Sequence, residues 1–139
     1  MRKEISMKKG IKEAIKARQK SYSPYSKFKV GAAIELKDGT FIHGANIENS
    51  SYGLTSCAER NALFSLISQG YHKEDIVALY VTGDTPGPIS PCGACRQVMV
   101  ELVPKTAKIV LSNIKGDFEE TTLEKLLPYA FEEFEGDND

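Results

Sequence analysis

The sequence predicts an α/β layered domain built on a mixed sheet, and three features predict it. Helical and extended patterns alternate along the chain, and a hairpin signal lies between the first two helices. The segment "DIVALYVTG" (75–83) is a continuous apolar run with β-branched residues, the pattern of a strand buried on both faces. With 139 residues, the chain is expected to form one domain, 1–139. A domain of this size buries roughly two-thirds of its unfolded surface. Composition agrees, with 41% apolar and 27% charged residues, the ordinary balance of a globular protein.

Each element follows in order. Met7, Ile11, Ala14 and Ile15 recur at helical spacing and predict a first helix over 5–20. Pro24 in "YSPYSKF" (22–28) breaks it, because proline cannot continue a helix and restricts Ser23. "KVGAAIELKDGTFIHGANI" (29–47) reads as a hairpin whose Asp38-Gly39 pair suits the positive dihedrals of a type I′ turn. A second helix is expected from about Cys57 to Gln69, closed by Gly70. The apolar strand 75–83 comes next, and the Pro/Gly-rich loop "DTPGPISP" (84–91) feeds a third helix over 92–103. "AKIVLSN" (107–113) reads as another strand, and Thr121-Thr122 as the cap of a short last helix ending at Pro128. Sheets of this kind place ligands at the carboxyl ends of their strands, which points to loop 84–91. No repeat, low-complexity stretch or linker is visible, and Glu135 to Asp139 read as a short solvated acidic tail.

Charge narrows the partners. The chain carries 18 basic and 19 acidic side chains, a formal net charge of −1. A protein that grips a nucleic acid backbone usually shows a basic excess or stripe. Lys3, Lys8, Lys9, Lys12, Lys16 and Lys20 are interrupted by Ile11, Ala14 and Ile15, so they read as the solvated face of an amphipathic helix. No nucleic-acid partner is expected. No stretch has signal-peptide character or approaches the roughly 20 apolar residues of a membrane span, so a cytoplasmic location and no membrane partner are expected. There, three cysteines argue against a disulfide framework and leave metal binding, a reactive thiol or apolar burial.

All three cysteines lie in "TSCAERNAL" (55–63) and "SPCGACRQ" (90–97), each beside an expected helix start. Ser56 as N-cap would put Cys57 at the first helical position and Glu59 at the third. Ser90 as N-cap would put Pro91 first and Cys92 directly after. Unsatisfied amides and the positive dipole end at each start favour thiolate over thiol. Cys92 and Cys95 are three apart and face the same side of one turn. If the two starts meet, three thiolates converge, and zinc on three protein ligands keeps a fourth position open for chemistry. Neither His43 nor His72 has ligand spacing to the others. The alternative is three small buried apolar residues at helix ends.

Three thiolates outweigh the charge of one zinc ion, so the site needs compensation. Arg60, three residues after Cys57, is placed to hydrogen-bond the sulfur. For Arg96, beside Cys95, a sulfur contact and a surface salt bridge are both open. Two readings also stand for Glu59. Ser56-x-x-Glu59 is a capping box, and a carboxylate near a zinc site is a proton shuttle.

"CAER" (57–60) with "PCGACRQ" (91–97) resembles the small homotetrameric zinc-dependent cytidine deaminases. Nucleobase deaminases carry a related H-x-E…P-C-x-x-C pattern, with Cys57 here in the histidine's place. The resemblance runs from about Tyr22 to Phe131 and includes "FKVGAA" (28–33), "NIEN" (46–49) and "LLPYAF" (126–131). It implies a three-layer α/β/α domain with a mixed five-stranded sheet, one Zn2+ per subunit on Cys57, Cys92 and Cys95, and Glu59 as proton shuttle. It further implies Asn46 and Glu48 as the ribose-binding pair, Phe28 against the base, and Phe131 reaching into a neighbouring subunit's pocket near Tyr52. The implied reaction is hydrolytic deamination of cytidine and 2′-deoxycytidine for pyrimidine salvage, with water attacking C4 and Glu59 moving the protons. A blasticidin-type antibiotic deaminase is the nearest rival, and Asn46-x-Glu48 with Ala130-Phe131 argues against it. A structural zinc module is the rival from another class, and Glu59 with the missing fourth ligand argues against that.

Overall fold

The structure, a computed structural model, describes residues 2–132, with side chains from Met7 onward. The acidic tail and Lys3 therefore lie outside the described side chains. In chain order, the elements are α1 (Arg2–Arg18), β1 (Val30–Leu36), β2 (Phe41–Ala45), α2 (Ala58–Ser68), β3 (Ile76–Gly83), α3 (Gly93–Leu102), β4 (Lys108–Asn113), β5 (Phe118–Thr121) and α4 (Leu123–Leu126). Short 3-10 turns at Tyr52–Leu54 and Lys73–Asp75 complete them.

The five strands form one sheet in the order β2-β1-β3-β4-β5. Only the β3–β4 pair is parallel, so the sheet is mixed. Strand alternation sorts the apolar side chains onto two faces. Ala33, Ala78, Tyr80 and Val110 meet Met7, Ile11 and Ala14 of α1 on one face. Ile34, Leu79, Val81, Ile109 and Leu111 meet Ala62, Leu63 and Leu66 of α2 and Met99 of α3 on the other. This gives the expected three layers. Lys8, Lys9, Lys12 and Lys16 are exposed on the far side of α1, the solvated face their spacing indicated.

Two local expectations are corrected. The β1–β2 turn is not type I′: Gly39 has φ 88°, and Asp38 is absent from the residues of positive φ. Leu36 O accepts from Gly39 N at 2.9 Å, Leu36 N donates to Thr40 O at 2.9 Å, and Asp38 Oδ1 accepts from Thr40 N at 2.9 Å. That is a type I turn followed by a left-handed glycine, a three-residue loop. The second correction is β5, which the residue pattern did not show. Its side chains are nearly all exposed, and an edge strand wet on both faces has no apolar period to read.

Gly44 sets how closely α2 lies on the sheet. A methyl group there would sit 2.4 Å from Ala58 O and 2.4 Å from Ala62 N, so the first turn of α2 rests on bare backbone of β2. The β3–β4 parallel pair sends both carboxyl ends toward the same edge, where loop 84–91 leads into α3. We expect Gly44→Ala to destabilise the protein by about 3 kcal/mol, the upper end of the overpacking range. Gly53→Ala, where nothing lies within 4 Å of the added carbon, should change stability by less than about 0.5 kcal/mol in the same urea titration.

Candidate metal centre and active site

Cys57 and Cys92 occupy the N-cap positions of α2 and α3 themselves, one residue after Ser56 and two residues after Ser90, the serines the sequence suggested. Ser56 does not cap. Its hydroxyl donates to Asn61 Oδ1 at 2.7 Å, and the Ser56–Glu59 capping box does not form. Ser90 Oγ instead accepts from Arg96 Nη2 at 2.7 Å. The thiol groups thus stand where capping oxygens usually stand, and Cys92 Sγ accepts from Cys95 N at 3.5 Å.

The three sulfur atoms lie within 4.8 Å of one another. Cys57 Sγ is 3.9 Å from Cys92 Sγ, which is 3.4 Å from Cys95 Sγ. Zinc–sulfur bonds of about 2.3 Å at tetrahedral angles place sulfurs about 3.8 Å apart. The donor set therefore fits one zinc ion, and among the described residues no histidine or carboxylate joins it as a fourth ligand. Cys95 is buried, Cys57 half-buried and Cys92 exposed, so the cluster opens on one side.

Charge is balanced locally. Arg60 Nη2 donates to Cys57 Sγ at 3.3 Å. The hydrogen bond from Cys95, with help from Arg60, holds the Cys57 thiol down to about 5, and the same proton sharing pushes Cys95 up. Among the described residues, Arg96 neither reaches a sulfur nor forms a salt bridge. Its Nε donates to Pro91 O at 2.9 Å and its Nη1 to Leu126 O at 2.6 Å, tying the α3 start to α4. Glu59 lies in the first turn of α2 and is buried, 4% exposed. Burial, and then the charge on Cys57, raise its pKa. A carboxyl held this way accepts and releases protons nearer neutrality than an exposed one.

The segment after β2 carries the sugar-binding candidates. Asn46 Oδ1 accepts from Val30 N at 2.9 Å and from the Ser21 hydroxyl, and its Nδ2 donates to Phe28 O at 2.8 Å, leaving one amide hydrogen. Glu48 accepts from Tyr25 N at 3.0 Å, Ser26 N at 3.1 Å and the Ser26 hydroxyl, leaving one carboxylate lone pair. The Ser26 hydrogen bond holds its carboxyl below the usual range. Glu48, Tyr25, Ser26, Tyr52 and Thr55 line an open depression of about 360 Å³. A larger one of about 440 Å³ lies around Val100 and Tyr129, and neither depression is lined by the cysteines or Glu59. Glu48, not volume, marks the first as the sugar-binding candidate.

Phe28, on the loop before β1, is 39% exposed, and its Cζ lies 3.3 Å from where a methyl on Gly83 would be. Tyr52 is exposed at the rim of the depression. Phe131 is exposed at the other end of the chain, its carbonyl accepting from Gln97 Nε2 at 2.7 Å, and it does not line this depression. Sequence reasoning missed Ser26, which orders Glu48, and Asn113, whose Nδ2 donates to Thr85 O at 3.1 Å and pins the loop leading to Cys92. A serine in a loop and an asparagine at a strand end carry no signal of such long-range partners.

A family model described as the cytidine and deoxycytidylate deaminase zinc-binding region matches residues 5–112. The chain belongs to this family. It is 59% identical over 121 residues to the cytidine deaminase of Halalkalibacterium halodurans, covering 87% of this chain and 90% of that one. It is 54% identical over 127 residues to the cytidine deaminase of Sporosarcina psychrophila, covering 91% and 92%. The crystal structure of cytidine deaminase from Burkholderia pseudomallei superposes with a TM-score of 0.86 at 54% identity, covering 88% of this chain and 97% of that one. For this deaminase family member, the three-sulfur cluster and the family's zinc-binding region agree on one zinc ion per chain.

We expect Arg60→Ala to weaken zinc retention about 10- to 100-fold in competition with a chelator, because a hydrogen bond to a ligand is lost. Arg96→Ala, which touches no sulfur, should leave retention within about threefold while loosening the α3–α4 junction.

Proposed function

We propose that this chain deaminates cytidine and 2′-deoxycytidine to uridine and 2′-deoxyuridine, releasing ammonia. The observation that carries the reading is the buried Glu59 carboxyl beside a cluster of three cysteines that has no fourth protein ligand among the described residues. Zinc on Cys57, Cys92 and Cys95 supplies a Lewis acid that lowers the pKa of water to about 7. Glu59 takes a proton from the attacking water and delivers it to N3 of the ring as oxygen joins C4. The same carboxyl then takes the remaining hydroxyl proton and hands it to the 4-amino group. Ammonia leaves, the C4 carbonyl forms, and Glu59 is regenerated. Its raised pKa suits both directions of transfer.

The spare amide hydrogen of Asn46 and the spare lone pair of Glu48 make a donor–acceptor pair for a sugar hydroxyl. Phe28 offers a ring face for the base. Tyr52 and Leu54, 78% and 70% exposed beside the depression, are surface that a neighbouring subunit would cover. This supports a homotetramer in which Phe131 enters an adjacent site and excludes water. The single domain 1–139 would act in the cytoplasm, in pyrimidine salvage, where three thiols stay reduced.

Zinc-replete protein should bleach the ultraviolet absorbance of cytidine, and an unchanged spectrum with cytidine and deoxycytidine overturns the reading. Glu59→Gln should keep zinc and lose about 10²–10⁴-fold in rate. Sedimentation should give four chains, and a fully active monomer contradicts the shared site.

A further inference from the structure

The first turn of α2 carries a side chain that this chemistry leaves unused. Asn61 donates its backbone N–H to Cys57 O at 3.0 Å, the first bond of the helix. Its carboxamide reaches back to two other segments. Oδ1 accepts from Ser56 Oγ at 2.7 Å, while Nδ2 donates to Ala45 O at 2.7 Å and, at greater length, to Ser56 O at 3.4 Å. The partners dictate this orientation: both neighbours of Nδ2 are carbonyls, which only accept, and a hydroxyl can donate.

The positions of those partners matter. Ser56 immediately precedes Cys57, and Ala45 immediately precedes Asn46. The same stretches also exchange two backbone bonds, Ile47 N to Ser56 O and Ser56 N to Ile47 O, both 2.9 Å. That pair joins the two segments at one place. Asn61 adds a third point of attachment from the helix itself, through Ala45 O, and so fixes α2 to the end of β2 just before Asn46.

We propose that Asn61 is a positioning residue that sets the distance between the three-cysteine centre and the sugar-binding pair Asn46 and Glu48. The inference rests on the ribose role proposed for that pair. A nucleoside is a stiff ligand held at both ends, so its C4 reaches the metal centre only if the sugar contacts stand at the right separation. A misplacement of about 1 Å at one end can cost two orders of magnitude in rate. Asn61 touches neither end and acts through Ala45 and Ser56.

The test measures kcat and KM for cytidine and for 2′,3′-dideoxycytidine, which lacks the sugar hydroxyls the pair would hold. Where the dideoxynucleoside turns over too slowly, its inhibition constant against cytidine replaces KM. Asn61→Ala should lower kcat/KM for cytidine about tenfold, with zinc content and the dideoxynucleoside values within about twofold. The preference for cytidine then shrinks about tenfold. Ser56→Ala removes one of the three bonds and should shift the preference in the same direction by less; it also serves if Asn61→Ala does not fold. An equal loss on both substrates, a loss of zinc, or an unchanged preference overturns the proposal. Glu48→Gln on the same substrates separates the two readings. If the preference survives Glu48→Gln, the ribose assignment fails. If it collapses there but survives Asn61→Ala and Ser56→Ala, only the positioning role fails.

Discussion

Three sulfur atoms from two helices, separated by 35 residues of sequence between Cys57 and Cys92, must come within 4.8 Å, and much of the fold serves that convergence. Gly44 removes a side chain so that α2 can start directly on β2. The parallel β3–β4 pair brings loop 84–91 to the same edge, where Asn113 and the backbone bond from Ile89 N to Ser112 O hold it. Both helices then begin at a cysteine, so the N-termini of α2 and α3 both lie at the three-sulfur cluster.

Concentrating negative charge has a cost that the surroundings offset. Arg60 lies on the same helix face as Cys57 and donates to its sulfur, which keeps the compensating charge within the rigid element that carries the ligand. Glu59 is one residue away but points into the interior, where burial and the Cys57 charge both disfavour its ionised form. Neighbouring residues on one turn thus meet opposite environments, and one becomes a fixed cation while the other becomes a proton carrier. The nucleoside end is built differently. Its two polar side chains hang on loop segments, and nearly all of their hydrogen-bonding capacity goes into ordering those loops.

The cysteine pattern, the two central strands and the amphipathic first helix were legible because each rests on local spacing or on residue chemistry. The apolar run at 76–83 needed only its β-branched content to read as a buried strand. Capping was misread by one residue at α2 and by two at α3, since serine is the commoner cap and nothing local reveals that a thiol takes the position. Strand β5 carries Glu119 and Glu120 and no alternation, so the residue pattern could not show it. Asn61, Ser26 and Asn113 were silent for a different reason: their partners lie 16, 22 and 28 residues away.

What the sequence determined by itself is the chemistry: a three-thiolate donor set, a carboxyl and a guanidinium one helical turn from it, and elements of helical and strand period. Those depend on residue type and spacing along one segment. The tertiary structure decided which atoms cap the helices, where Arg96 points, whether Glu59 is buried, and how the sugar-binding segment is tied to the metal helix. These are distances between segments far apart in the chain, set by packing of the whole sheet, and no local pattern encodes them.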